Sequence, residues 1–440
     1  MSGEQQGFSA LDQAHGLRLA GEHEQALRLA ASVLTAVPED VGAAALIGRL
    51  LLEADRAAVA AEIATRAVDA FVRRGDLAGA RVAAELATDA GAGQGTLERI
   101  ASAFGKGSQR ISAAAAKPPL MPTEVEIAPH FAKLSGDALL DAADKAARRF
   151  LATKDAVPAD APLPELPLFG TLEPQRLQLL LGQMELRELS AGKYALKQGE
   201  RGREAFVLAR GVINVVREDA TGKPTLLATL GPGSIFGEMA LVTDAPRAAS
   251  AVAVEPVQLL TVTQAALESL ARQDPAIGSE LGAFCYGRMI SNLIRHSAIL
   301  SSVEPGRRSE LVARFKSERF EAGDCLVRRG EEPSCLYLLA SGGVQVRGTD
   351  ADGDRVVLAE LGPGDVVGEI SLVLRRPAIA DVVALHTTVA LALGREQFSE
   401  AIREHPALLR ELYDMAVQRD EETRSVVAQK ALDVSDVVLL

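Results

Sequence analysis

The feature that most restricts what this chain can fold into is an internal repeat. From residue 167 the sequence repeats itself at an offset of 131 without a gap, so that PLFGTLEPQRLQLL (167–180) aligns with AILSSVEPGRRSEL (298–311). Ala191-Gly192 answers Ala322-Gly323, Gly199-Glu200 answers Gly330-Glu331, and Gly211 answers Gly342. Asp219, Ala220 and Gly222 answer Asp350, Ala351 and Gly353; the LGPG at 230–233 answers that at 361–364, and Pro275 answers Pro406. Glycines, prolines and acidic turn residues are the positions that a shared backbone holds in place. The second half of the chain is therefore two copies of one domain.

Each copy opens on a helix. Short runs follow, such as AFVLARGVINVV and LYLLASGGVQV, which alternate in part, are rich in β-branched residues and are broken by glycine. Asp219–Gly222 and Asp350–Gly353 read as hairpin tips. About eight strands per copy then give way to helices over 264–298 and 395–430, which predicts a β-roll with helices at both ends. Residues 8–105 differ: alanine and leucine dominate, and apolar positions recur at threes and fours, the helical period. Gly21, Ala26 and Pro38 form a spaced pattern, Gly75 and Ala80 repeat part of it, and Ala60 lies 34 residues after Ala26. This resembles the tetratricopeptide repeat, in which small residues let paired helices pack closely; a generic alanine-rich bundle is the alternative.

The expected fold class is multidomain α+β: an all-α helical-hairpin region, then two jelly-roll-like β-rolls with flanking helices. The expected boundaries are 1–105 for the helical region and 106–165 for an Ala/Pro-rich linker with a short helix at 136–153. The first β-roll takes 166–296, the second 297–430, and a tail 431–440. Arg148-Arg149 in the linker helix resembles a kinase pseudosubstrate, one place out of step, and reads as a solvated helix face.

Composition narrows the function classes. The 440 residues carry 47 Lys plus Arg against 59 Asp plus Glu, a net charge of −12. An acidic chain is poorly suited to nucleic acid, which needs cations to displace counterions. Cys285, Cys325 and Cys335 include no CxxC, and an odd count suits buried, reduced thiols in the cytoplasm. MSGEQQGFSA lacks the basic and apolar regions of a secretory leader, and no run of 18 uncharged apolar residues exists, so neither secretion nor a membrane is expected. The six histidines are scattered, and no metal site, GxSxG or P-loop lysine motif is found. No catalytic residue, cofactor or metal is expected. After the second copy too little chain remains for a helix-turn-helix domain.

Residues 236–250 read FGEMALVTDAPRAAS. This run resembles, without a gap, the phosphate-binding cassette of the cyclic-nucleotide-binding domain, as in regulatory subunits of cAMP-dependent protein kinase and bacterial cAMP receptor proteins. With the LGPG and AG…G turns before it, the resemblance covers roughly 167–425. It implies a ligand site at Gly237, Glu238, Met239, Ala240, Pro246, Arg247, Ala248, Ala249 and Ser250. The implied roles make chemical sense. Gly237 permits close backbone approach, and the Glu238 carboxylate can accept from a ribose 2′-hydroxyl. The short helical turn after it, with Met239 and Ala240, points N–H groups at an anion. Arg247 offers a bidentate guanidinium to the phosphate, which lysine cannot match. Pro246 sets the backbone before it, while Ala248 and Ala249 leave their N–H groups accessible. Relatives selective for cGMP tend to have Thr or Ser after the arginine, so Ala248 favours cAMP, with cGMP less favoured; Ser250 remains a candidate base contact. Phe284, Tyr286 and Met289 are candidates to cap the purine or to pack the β-roll.

The second copy reads VGEISLVLRRPAIAD over 367–381. It keeps Gly368 and Glu369 but has Ala378 at the arginine position, Ile379 next to it and Asp381 in place of Ser250. A phosphate clamp is absent, and Arg375 and Arg376 upstream are expected to face solvent. The expectation is a cytoplasmic, non-enzymatic cAMP-binding regulator. Ligand in the first β-roll would rearrange the β-rolls, and the N-terminal helices would carry the signal to a protein partner. A homodimer is compatible with this reading. The alternative is a scaffold whose β-rolls are structural and whose helices recruit partners.

Overall fold

The computed structural model describes residues 9–112, 125–218, 222–241, 243, 245–332, 334–349 and 355–437. It divides into two compact units, Met1–Glu238 with Arg247–Leu281, and Met239–Pro246 with Gly282–Leu440. The first holds six N-terminal helices: α1 (Ala10–Leu19), α2 (His23–Ala36), α3 (Val41–Glu53), α4 (Ala57–Arg73), α5 (Leu77–Asp89) and α6 (Thr96–Phe104). Consecutive helices pack on one another. Gly21 and Gly75 sit in turns between helices with positive φ, and Ala26, Ala60 and Ala80 are fully buried. The spaced small residues thus lie at the tight points of helix packing, which loosely supports the repeat-like reading. Asp40 and Asp76 cap α3 and α5, accepting from Ala43 and Gly79 N–H groups at 2.8 and 3.1 Å, and α2 stops just before Pro38.

Within the segment expected to be linker lie α7 (Pro129–Ala132) and α8 (Gly136–Ala152), both packed on the helical region. After α9 (Pro174–Gly182) come eight strands: β1 (Glu185–Leu189), β2 (Tyr194–Leu196), β3 (Glu204–Arg210), β4 (Ile213–Glu218), β5 (Pro224–Leu230), β6 (Ile235–Phe236), β7 (Ser250–Ala253) and β8 (Val257–Thr263). They form two antiparallel sheets ordered β1-β8-β3-β6 and β2-β7-β4-β5. Phe206 and Phe236 stack at 5.2 Å between centroids inside this sandwich, with Leu208, Ile213 and Leu259. β3 is buried along almost its whole length because one face meets the sandwich core and the other meets α5. That is why AFVLA is a continuous apolar run instead of an alternating one.

Two junctions tie the helices to this sandwich. Arg81 on α5 is buried, and its Nε donates to Leu181 O in the last turn of α9 at 2.7 Å and its Nη2 to Met184 O just past it. At the second junction Arg210 pairs with Asp12, and Arg18 with Glu188 and Glu53. His15 is buried beside them, and burial first, then Arg210 and Arg18, holds its imidazole well below the usual histidine range. The unfolded chain therefore binds a proton near pH 6.5 that the folded chain refuses, so this group's contribution is complete above that pH and is lost as pH falls below it. Glu255, raised by burial and by Asp12 and lowered by Arg210, acts in the opposite sense, in the carboxylate range. The melting temperature is expected to drop between pH 7 and pH 5.5, and to drop less in His15→Gln. Equal slopes in the two proteins would show that His15 does not titrate on unfolding.

The second copy follows α10 (Gln264–Gln273), α11 (Pro275–His296), α12 (Ala298–Ser301) and α13 (Arg308–Val312). Its strands are β9 (Lys316–Phe320), β10 (Cys325–Val327), β11 (Cys335–Ser341), β12 (Val344–Thr349), β13 (Arg355–Leu361), β14 (Val366–Val367), β15 (Asp381–Ala384) and β16 (Thr388–Gly394). The sheet orders, β14-β11-β16-β9 and β10-β15-β12-β13, are those of the first copy. Even the register shifts repeat at the same offset, with Leu208/Arg210 matching Leu339/Ser341 and Val215/Val216 matching Val346/Arg347. α14 (Glu369–Leu374) follows β14, and α15 (Arg395–Glu404) and α16 (Pro406–Val437) close the chain. The helix expected to end near 430 thus runs on into the segment read as tail. Of the expected hairpin tips, residues 219–221 and 350–353 lie outside the described residues, as do residues 1–8.

Candidate functional site

In the first copy β6 delivers the chain to Gly237, whose φ of +74° is open to glycine at little cost. A Cβ there would lie 3.1 Å from Arg247 Nη1 and 3.3 Å from Glu204 O. Glu238 follows, buried at 5% exposure, and opens one 3-10 turn, Glu238–Leu241, that carries Met239 and the buried Ala240. Pro246 precedes Arg247, whose backbone is clamped to a glycine turn: Gly199 N donates to Arg247 O and Arg247 N to Glu200 O, both at 2.9 Å. The guanidinium donates from Nη1 to Gly237 O at 2.8 Å and from Nη2 to Glu204 O at 2.7 Å. Burial pushes its pKa down, and the nearby Glu204 and Glu238 carboxylates act against that. A partly desolvated cation hydrogen-bonded to two neutral carbonyls gains strongly from an anion.

Ser250 has a task within the fold. It is buried, and its hydroxyl accepts from Gln198 N at 2.9 Å, which holds the turn after β2. Ala248 is exposed and Ala249 half-buried. Among the capping candidates, Met289 is buried in an apolar cluster with Leu293, Leu300 and Leu412, Phe284 is half-buried and Tyr286 is exposed. Met239 packs against that same cluster.

Two contributors were not legible from the sequence. Glu204 supplies a main-chain carbonyl, which no residue type signals. Gly202 makes room: a Cβ on it would lie 2.6 Å from Arg247 Nη2 and 2.9 Å from Nε. Gly202→Ala is expected to displace the guanidinium, the far end of a flexible side chain, at little cost to the fold, and to weaken anion binding at this site by less than Arg247→Ala does. Titration of the variant against the parent checks this, and equal affinities would show that the guanidinium does not need its present seat.

The second copy keeps the backbone and loses the charge. Gly330 N donates to Ala378 O at 2.8 Å and Ala378 N to Glu331 O at 2.9 Å, the same pair as in the first copy. Asp381 takes the structural role of Ser250, accepting from Arg329 N at 2.8 Å. It caps the turn after β10 as Ser250 caps the turn after β2. Gly368 has φ +87° and Glu369 is buried at 2% exposure. Here α16 intervenes: Arg419 Nη1 donates to Glu369 Oε1 at 2.7 Å and to Val366 O at 2.6 Å. Arg376, expected in solvent, pairs instead with Asp420 of α16. Burial drives the Glu369 carboxyl upward, and Arg419 opposes this. The acidic acceptor of the second copy is thus already engaged by its own C-terminal helix.

Among the described residues no cluster of His, Cys, Asp and Glu could hold a metal, and no helix is long and apolar enough to cross a membrane. Cys285 is buried, whereas Cys325 and Cys335 are only half-buried.

The model of the cyclic nucleotide-binding domain matches residues 186–274 and again residues 317–405. The cAMP-dependent protein kinase regulatory subunit of Dictyostelium discoideum is 26% identical over 270 residues, 60% of this chain and 80% of that protein. The cGMP-dependent protein kinase 2 of Mus musculus is 27% identical over 257 residues, 58% of this chain. The chain spans only about a third of that kinase's length, 32%. Among solved structures, the catabolite activator protein of Thermus thermophilus is 32% identical over 34% of this chain and 66% of that one, with a TM-score of 0.29. The regulatory domain of Toxoplasma gondii PKA with cAMP is 21% identical over 57% of this chain and 92% of that one, with a TM-score of 0.28.

Proposed function

This chain carries two cyclic nucleotide-binding domains, and from that premise we propose that it is a non-enzymatic, cAMP-responsive regulator with one working site. The observation that carries the reading is the contrast at one repeat position. Arg247 is seated on Gly237 O and Glu204 O in the first domain, and Ala378 occupies the same clamped backbone in the second. In the first domain a cyclic phosphate would meet Arg247 and the N–H groups of Ala240, Ala248 and Ala249. The ribose hydroxyl would meet Glu238. Ala248 brings no hydroxyl next to the arginine, which supports cAMP over cGMP. The second domain serves as a scaffold in this reading, because Arg419 already satisfies Glu369. The helical region is the arm that reports to a protein partner, and three thiols outside any disulfide agree with a cytoplasmic setting. The names of the relatives, regulatory subunits among them, agree with a signalling role.

Calorimetric titration tests the proposal. One cAMP is expected per chain, with cGMP weaker. A ligand that binds only the folded chain should also stabilise it, by about 2.7 kcal/mol at a hundredfold excess over Kd. Two equivalent sites would overturn the assignment of the second domain. No binding and no thermal shift would leave the scaffold reading.

A further inference from the structure

α8 is amphipathic, and its apolar side is spent on the N-terminal helices. Leu139, Ala143, Ala146, Ala147 and Phe150 are buried, and the helix packs on α2, α3 and α4. Polar contacts grip the segment from end to end. Glu24 on α2 accepts the Gly136 N–H at 2.8 Å, where the helix dipole favours a carboxylate. Arg28 donates to Leu134 O from Nε and Nη2 at 3.0 and 2.8 Å. Arg56 pairs with Asp137 at 3.3 Å and Asp141 at 3.1 Å. Arg66 and Arg73 on α4 both pair with Asp155, and the Arg66 guanidinium lies 5.7 Å from the Phe150 ring centroid. Three of these arginines, Arg56, Arg66 and Arg73, thus meet carboxylates placed at the two ends of the segment, Asp137, Asp141 and Asp155.

The ends of that segment are tied together. Ile111 and Leu163 form a parallel bridge, with Ser112 N donating to Leu163 O at 2.9 Å and Leu163 N to Arg110 O at 2.7 Å. Arg110 fastens the same place through Ala161 O at 3.1 and 3.0 Å. Arg110–Ser112 and Ala161–Leu163 are thus fastened to each other directly, so the path from α6 to α9 does not depend on α7 and α8 staying on α2–α4.

We propose that the α2–α4 surface is a docking site for an amphipathic helix and that α8 is its resident occupant. The partner it fits is a protein helix with a stripe of small apolar residues closed by an aromatic one. That helix carries carboxylates in its first two turns and a further one just past its end. Such a helix binds by taking the place of α8. This rests on the reading of the helical region as the partner-binding arm, but its test needs no nucleotide, so either can fail alone.

The test is a variant in which residues 113–161 are replaced by a short Gly/Ser bridge, titrated with a labelled synthetic peptide of residues 125–157. The peptide is expected to bind the variant one to one. It should bind the intact chain about a hundredfold or more weaker, because the resident helix competes at millimolar effective concentration. Asp141→Arg with Asp155→Arg in the peptide should weaken binding at least about tenfold, given three lost charge pairs. A folded variant that ignores the peptide overturns the proposal, as does a variant that cannot fold. Hydrogen exchange on the intact chain gives an independent answer: α8 amides should open well before those of α3 and α4. Protection of α8 equal to theirs would make it a fixed part of the fold and overturn the proposal.

Discussion

Arg247→Ala is expected to weaken cAMP binding by about 2–5 kcal/mol, the range for stripping one partner from a desolvated charge pair. That corresponds to about thirtyfold to several thousandfold in Kd. The loss is large because the guanidinium is already partly desolvated and held by two carbonyls, so its orientation is prepared before the phosphate arrives. Arg247→Lys should recover only part of it, since an ammonium cannot keep both carbonyl contacts and still present a fork. Ser250→Ala is the control. Its hydroxyl serves Gln198 N, so the expected cost is about 0.5–1.5 kcal/mol, felt in the stability of the turn more than in affinity. Calorimetry on the three variants decides the matter, and parent-like affinity in Arg247→Ala would place the ligand elsewhere.

Arg419→Met is expected to destabilise the second domain by about 3–5 kcal/mol at neutral pH, because it strands a carboxylate in a dry site. The Glu369 carboxyl is already pushed up by burial with Arg419 present; without Arg419 it rises further. A group whose folded pKa exceeds its unfolded value is relieved as pH falls through the folded pKa, and the relief is complete below the unfolded one. The defect should therefore shrink as the medium is acidified toward the ordinary carboxylate range. Adding Glu369→Gln should restore much of the loss at pH 7, because a neutral amide no longer needs a counter-charge. Denaturant melts of both variants across pH test this. A pH-independent defect, or no rescue by Glu369→Gln, would mean that Arg419 acts through packing of its stem instead.

The two domains and their cassettes were legible because the signal sits in backbone chemistry. Gly237, Gly368 and the turns at Gly199 and Gly330 all have positive φ, and residues bound to special backbone shapes survive when side chains drift. Arg247 could be singled out because a phosphate clamp, where one is expected, calls for one residue type. The turn-holding task of Ser250 was not legible for the complementary reason: a hydroxyl and a carboxylate can cap the same N–H, so Ser250 and Asp381 differ in charge while sharing a task. Gly202, Glu204 O and Arg419 escaped notice because each acts on a residue 45, 43 or 50 positions away, and no local pattern encodes such a meeting. α8 was read as a short helix in linker because alanine and proline dominate its surroundings. Its burial depends on arginines that precede it by 70 to 110 residues.

The repeated register shifts bear on how the chain is made. Two sandwiches with the same strand order and the same irregular positions offer each other's strands a ready template, and neighbouring like domains are prone to misassembly for that reason. What separates them is the filling: the stacked Phe206 and Phe236 of the first sandwich correspond to Tyr337 and Val367 in the second. A strand from the wrong copy would match in hydrogen bonds and mismatch in volume. During synthesis the first sandwich emerges and closes before its double exists, so the order of translation guards the pairing that the backbone alone leaves degenerate.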